Sequence, residues 1–266
     1  MRSFRELLGL RPRQPTVSVL RLQGAIGLGG RGLSDAGLAP AIEAAFRAKP
    51  AAVALEVNSP GGSPVQSSLI AARIRRLADE KRVPVLAFVE DVAASGGYWL
   101  ASAADEVFCD RGSLLGSIGV ISAGFGFPEL IRRLGVERRV HTAGRSKSLL
   151  DPFRPEKAED VERLDRWLNQ LHDVFIAHVR ERRGGRLVPH PDLFAGEVWI
   201  GEAAVAQGLA DGIGHLVPTL KARFGPKVRV RRFGVRRPFL SRFGLALAEG
   251  ALGAAEERAA FARWGL

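Results

Sequence analysis

Short apolar runs alternate with longer segments whose apolar residues recur every three or four positions, and this alternation limits what the chain can fold into more than any other feature. Residues 16–22, 52–57 and 83–89 read as strands. Between them lie helical segments. Ser34 is placed to cap a helix reaching about Lys49. Ser63, Pro64 and Gln66 are spaced as cap, first helical residue and third member of a capping box, opening a helix to about Lys81. Residues 94–103 read as a further helix, 106–109, 118–122 and 137–142 as short strands, and 128–134 as a short helix. On a long helix over 155–182, Val161, Leu164, Leu168, Leu171, Phe175 and Val179 draw one apolar stripe, as a core-facing helix does. Strands alternating with helices predict an α/β fold with a largely parallel sheet.

The 266 residues suffice for one large domain or two small ones with a real core. The pattern divides them into a basic arm over 1–15, a body over 16–220, and a basic segment with a helical tail over 221–266, the tail broken by Gly244, Gly250 and Gly253. The net charge of +11 is uneven: residues 221–242 hold nine of the 39 cations and no acid, so charges nearly balance elsewhere. Such a segment could meet an anionic membrane surface, an acidic partner or nucleic acid, and a solvated face in a chain that uses arginine freely is favoured over any specific ligand. The one cysteine, Cys109, has no partner for an intrachain disulfide. No stretch approaches the roughly 18 apolar residues of a spanning helix, and the start lacks the apolar run of a secretory signal. The expected location is therefore cytoplasmic or peripheral at a membrane.

Three segments carry residue types that chemistry needs. In 93–97, Ser95 stands between small residues where a strand gives way to a helix, the logic of a nucleophile elbow, with the Gly96 amide at the helix start. An ordinary helix cap has the same composition. In 58–62, Gly61 and Gly62 follow Pro60 and let the backbone approach a ligand, so their amides suit a second oxyanion donor. In 144–148, Lys147 is one of only six lysines against 33 arginines. A lysine can act as a base when burial makes it neutral, and an arginine cannot. The histidines His141, His172, His178, His190 and His215 have no supporting motif, no zinc-ligand spacing occurs, and the loop over 27–32 lacks the Lys-Ser/Thr ending of a P-loop.

Taken together, the segments Asn58-Ser59-Pro60-Gly61-Gly62-Ser63, Ala93-Ala94-Ser95-Gly96-Gly97-Tyr98-Trp99, Leu115-Gly116-Ser117-Ile118-Gly119-Val120, Ser146-Lys147-Ser148 with Asp151-Pro152-Phe153, and Val198-Trp199-Ile200-Gly201 through Gly208-Leu209-Ala210-Asp211 resemble the S49 family of serine peptidases, the signal peptide peptidase A and SohB type, in its short form. The resemblance covers about 17–216. It implies the ClpP/crotonase fold with repeated β-β-α units, a Ser95 nucleophile, a Lys147 base, and a Ser117 hydroxyl that orients the lysine. Gly96 with Gly61 or Gly62 would form the oxyanion hole. It further implies hydrolysis of signal-peptide remnants or other membrane-derived or unfolded peptides, no metal, no other cofactor, and ring- or dome-shaped homo-oligomers. Many members begin with a transmembrane anchor. The segment over 221–242 and the tail are expected to replace it by peripheral contact with an anionic membrane, and no nucleic acid is expected. Two alternatives stay open: a crotonase-like acyl-CoA enzyme on the same fold, and a non-catalytic scaffold that binds membranes or peptides.

Overall fold

The computed structural model describes residues 14–27, 32–144, 146–234 and 261–264. Most of the basic arm, residues 28–31 of the glycine-rich loop, and residues 235–260 of the tail lie outside the described residues. Two compact units emerge. One takes the chain up to Ile118 and again from His178, the other takes Gly119–Ala177.

In the first unit, the chain runs β1 (Thr16–Gln23), α1 (Asp35–Arg47), β2 (Ala52–Ser59), α2 (Pro64–Lys81), β3 (Val85–Ala94), α3 (Gly96–Ser102), β4 (Glu106–Cys109) and β5 (Leu114–Gly116). After the second unit come β6 (Val198–Ile200), α6 (Gly201–Ala206), β7 (Gly212–Ile213), α7 (Leu216–Phe224) and β8 (Arg229–Phe233). The sheet order is β6-β5-β3-β2-β1-β8, with β4 pairing β3 and β7. Every ladder is parallel except β5–β6. The α/β class and largely parallel sheet read from the sequence are what the chain adopts. All eight residues of β2 are buried, as a central parallel strand covered on both faces requires.

The helices begin where the sequence marks them. Ser34 accepts from the Gly37 amide at the start of α1, and Ser63 accepts from the Gln66 amide at the start of α2. The second half of the capping box is replaced. The Ser63 amide donates to the Ile26 carbonyl at 2.8 Å, and the Gln66 side-chain oxygen accepts from the Asp35 amide at 2.8 Å instead. Gln66 thus ties α2 to the first residue of α1.

Two expected strands are corrected. The strand expected over 118–122 forms earlier, as β5, because Gly116 (φ 110°) and Ser117 (φ 50°) turn the chain out of the sheet. Residues 137–142 pair with no strand and are mostly exposed. Residues 221–233 are part of the sheet domain. The position 220/221 falls inside α7, whose Leu216 and Leu220 pack on Val17, Val19 and Phe88, and β8 pairs with β1 from Thr16 to Leu20.

The second unit holds α4 (Pro128–Arg133) and the first turns of α5 (Ala158–Arg183). Asp151 is its polar centre: it accepts from Arg138 at 3.0 and 3.1 Å and from the Phe153 amide at 3.1 Å. The Arg138 guanidinium holds the Asp151 carboxyl below the usual carboxylate range. Arg138 also lies over the Phe153 ring, which contacts Phe127. Among the described residues of this unit only Phe175 is buried. Leu171, expected to face a core, is 39% exposed, and Trp167 and Val174 are exposed beside it.

Candidate active site

Ser95 follows the last residue of β3 and precedes the first of α3. Its backbone sits at φ 52°, ψ −122°, a region that side-chain-bearing residues occupy only when their surroundings hold them there. The Ser95 amide donates to the Gly116 carbonyl at 2.8 Å, and its carbonyl accepts from the Trp99 amide at 3.0 Å, the first bond of α3. Ala93 and Ala94 before it and every residue of α3 after it are buried, while Ser95 itself remains partly accessible. The chain therefore presents one hydroxyl out of an otherwise sealed turn.

Glycine makes this turn sterically feasible. A Cβ on Gly61 (φ 101°) would stand 2.8 Å from the Ala94 carbonyl oxygen and 2.9 Å from the Gly96 nitrogen. One on Gly97 would stand 2.2 Å from the Ser59 carbonyl oxygen. The 58–62 turn and the 93–97 turn are thus packed backbone on backbone. Within the 58–62 turn, the roles of Gly61 and Gly62 separate. The Gly61 amide donates to the Ser59 hydroxyl at 3.3 Å, and that hydroxyl donates to the Gly24 carbonyl at 2.7 Å.

Ser117 is brought beside this turn by the ladder that pairs Ala94 with Gly116. It is buried, and its amide donates to the Glu197 carbonyl at 2.7 Å. Ser95, Ser117, Gly61, Gly62 and Gly96 therefore all belong to the first unit and to one end of β2, β3 and β5. Lys147 belongs to the second unit, in a turn over 146–150 where its amide donates to the Gly144 carbonyl at 3.2 Å and its residue is exposed. The neighbouring Ser146 hydroxyl accepts from Arg163.

Other candidates are spent elsewhere. His178 Nε2 lies 3.2 Å from the Trp99 carbonyl oxygen and 3.1 Å from the Ser102 hydroxyl, and His215 Nε2 pairs with Asp110 at 2.8 Å. Cys109 is buried, which pushes its thiol up to about 11, so it is a poor nucleophile. A cavity of about 420 Å³ opens beside the middle of β3, lined by Glu56, Glu90, Asp91, Asp110 and His215, and none of the expected site residues lines it. The contacts of His178 and Arg182 with α3 were not read from the sequence. Their spacing of four on the long helix was the available signal.

The model of Peptidase family S49 matches residues 77–222. A Brucella melitensis protein named Na(+)/H(+) antiporter NhaA is 48% identical over 94% of this chain, and the match takes up 37% of that protein. The chloroplastic serine protease SPPA of Arabidopsis thaliana is 33% identical over 62% of this chain and 24% of its own length. The chain thus spans a minor part of both relatives. A solved membrane-bound stomatin-specific protease is similar at a TM-score of 0.48 and 14% identity, covering 83% of this chain and 98% of its own. Among the described residues, no helix is long and apolar enough to cross a membrane.

Burial lowers the pKa of His178 from 6.5 to about 4, against the raising effect of its bond to the Trp99 carbonyl. The unfolded chain therefore takes up this proton near 6.5 and the folded chain only near 4. The stability conferred by a neutral His178 is complete above about 6.5 and is lost as pH falls toward about 4. The urea midpoint should fall between about pH 7.5 and about pH 4.5, and His178→Gln should flatten part of that fall. An identical pH dependence in the variant would show that His178 does not carry it.

Proposed function

The chain belongs to peptidase family S49, and from that premise we propose that it is a serine peptidase in which Ser95 is the nucleophile and Lys147 the general base. The observation that carries this reading is the single accessible hydroxyl at φ 52°, set against the glycine backbone of the 58–62 turn. Neutral Lys147 takes the Ser95 proton as the serine oxygen attacks a peptide carbonyl. The tetrahedral oxyanion is met by backbone amides at the start of α3 and in the glycine turn. Gly62 and Gly96 suit this role best, because the Gly61 amide already donates to Ser59. The lysine then gives its proton to the leaving amine, and water resolves the acyl-enzyme. Ser117 orients the lysine amine. The base role requires a shielded amine. Bound peptide or a neighbouring subunit supplies that shielding, since the Lys147 residue is exposed within its own unit.

The substrates proposed are unfolded or membrane-derived peptides, signal-peptide remnants among them. Hydrolysis of an apolar reporter peptide should fall at least about 1,000-fold in Ser95→Ala and in Lys147→Ala. Undiminished hydrolysis in either variant would refute the assignment of that residue.

We propose further that the working form is a homo-oligomer. A unit of Gly119–Ala177 whose described residues bury only Phe175, and which exposes Ile121, Phe125, Leu134 and Trp167, lacks the core a chain this short needs. Light scattering should give a mass several times 28.7 kDa, and Phe125→Glu with Leu134→Glu should reduce it. A monomer in the wild type would end this part of the proposal.

The cationic strand β8, with Arg229 and Arg231 exposed and Lys227 just before it, supports peripheral contact with an anionic membrane. Cosedimentation with phosphatidylglycerol vesicles at low salt should be lost when Lys227, Arg229 and Arg231 are all changed to Glu. Absence of binding by the wild type would reject the contact. Charge reversal is the appropriate variant, because removing residues from 221 onward would also remove β8 and cut α7.

A further inference from the structure

The helix that begins one residue after Ser95 is only seven residues long, and all seven are buried. Its first backbone bond runs from the Trp99 amide to the Ser95 carbonyl. A displacement of α3 along its axis therefore carries the Ser95 carbonyl and the Gly96 amide with it. Besides the Tyr98 hydroxyl, which donates to the Leu209 carbonyl at 2.9 Å, the far end of the helix is open to being held, because the last carbonyls there have no partner within the helix.

Two side chains of α5 meet those carbonyls. His178 stacks on the Trp99 indole, with ring centroids 4.9 Å apart and planes at 22°. Its Nε2 lies 3.2 Å from the Trp99 carbonyl oxygen and 3.1 Å from the Ser102 hydroxyl. A carbonyl oxygen only accepts, so Nε2 carries the proton and donates. Arg182 Nε donates to the Ser102 carbonyl at 3.3 Å, and Nη2 lies within 3.4 Å of the Ala103 carbonyl and 3.2 Å of the Ala104 carbonyl. Its cation also complements the negative end of the α3 dipole. Arg75 from α2 adds a bond to the Ala103 carbonyl at 3.3 Å, and both Arg75 and Arg182 are held by Asp105. Residues four apart on a helix share a face, so the two α5 side chains act on α3 together.

We propose that His178 and Arg182 are positioning residues for the Ser95 nucleophile, gripping the C-terminal carbonyls of α3 so that the serine and the Gly96 amide stay in register with the carbonyl under attack. This rests on the reading of Ser95 as nucleophile. Neither side chain is bonded to Ser95 in the contacts described; each acts through α3. The expected effect is on turnover, because a misplacement of about 1 Å can cost on the order of 100-fold in rate even when substrate still binds.

The test compares peptide hydrolysis by the full-length wild type, His178→Phe, which keeps a ring against Trp99 without the donor, and Arg182→Met, which keeps the stem without the guanidinium. His178→Gln and Arg182→Lys return a donor to each place. In the first two, kcat should fall on the order of 10- to 100-fold while KM stays within about twofold. The donor-bearing pair should recover most of the loss. Wild-type kcat in folded His178→Phe and Arg182→Met overturns the proposal, and so does an equal loss in the donor-bearing pair. If His178→Phe does not fold, His178→Asn, which keeps an amide but retracts it from α3, carries the same expectation, and wild-type kcat there is equally fatal. Ser95→Ala, run alongside, separates the two readings. Retained hydrolysis in Ser95→Ala removes the nucleophile and the purpose of the grip with it. Lost hydrolysis there, with unchanged kcat in the α5 variants, removes the grip alone.

Discussion

The close approach of two backbone turns is the constraint on which the rest of the first unit depends. Ser95 can hold a positive φ only because its amide is bound by Gly116 and the backbone around it leaves no other course. That course exists because Gly61, Gly62 and Gly97 present no side chain where the 24–27, 58–62 and 93–97 segments meet. A Cβ on Gly62 would fall 2.1 Å from the Ile26 carbonyl oxygen. The first two of these segments also exchange bonds: the Ile26 amide donates to the Gly61 carbonyl, and the Ser63 amide just beyond the glycine turn donates to the Ile26 carbonyl. The strands of a parallel sheet end together, and here their ends lock to one another.

The two units contrast in how they are stabilised. The first is a layered α/β body whose central strands are sealed on both faces. Its charged side chains are mostly tied to specific partners, such as Arg73 on Asp35 at 2.6 Å and the buried Arg183 on Asp211 at 2.7 Å. The second rests on a few polar and aromatic contacts around Asp151 and exposes much of its apolar surface. Such a division places Ser95 on a tightly held turn in one unit and Lys147 on a segment of the other whose own neighbourhood does not bury it.

Much of the first unit was legible in the sequence because its signals are local. Ser34 and Ser63 cap the helices they were expected to cap, and the strands of 16–22, 52–57 and 83–89 lie where apolar runs placed them. The limits also have physical causes. Residues 118–122 and 137–142 read as strands, but a strand needs a partner, and Gly116 and Ser117 lead the chain away from the sheet before either segment begins. Gln66 satisfied a local rule in its spacing, yet the Ile26 carbonyl reached the Ser63 amide first, a contact between residues far apart in sequence. The Ser95 turn was readable from its small residues. The bonds of His178 and Arg182 to α3 were not, because helix periodicity reports which residues share a face and says nothing of what that face meets.

Strand β3 changes neighbour along its length: Leu86 to Val89 run beside β4, and Val92 to Ala94 run beside β5. The break at Glu90 and Asp91 is where the cavity opens. The serine is therefore mounted on the half of the strand that answers to β5 and, through the Glu197 and Trp199 contacts, to β6. Mechanical load arriving at that outer corner would reach the Ser95 turn through the three residue pairs that join β5 to β3.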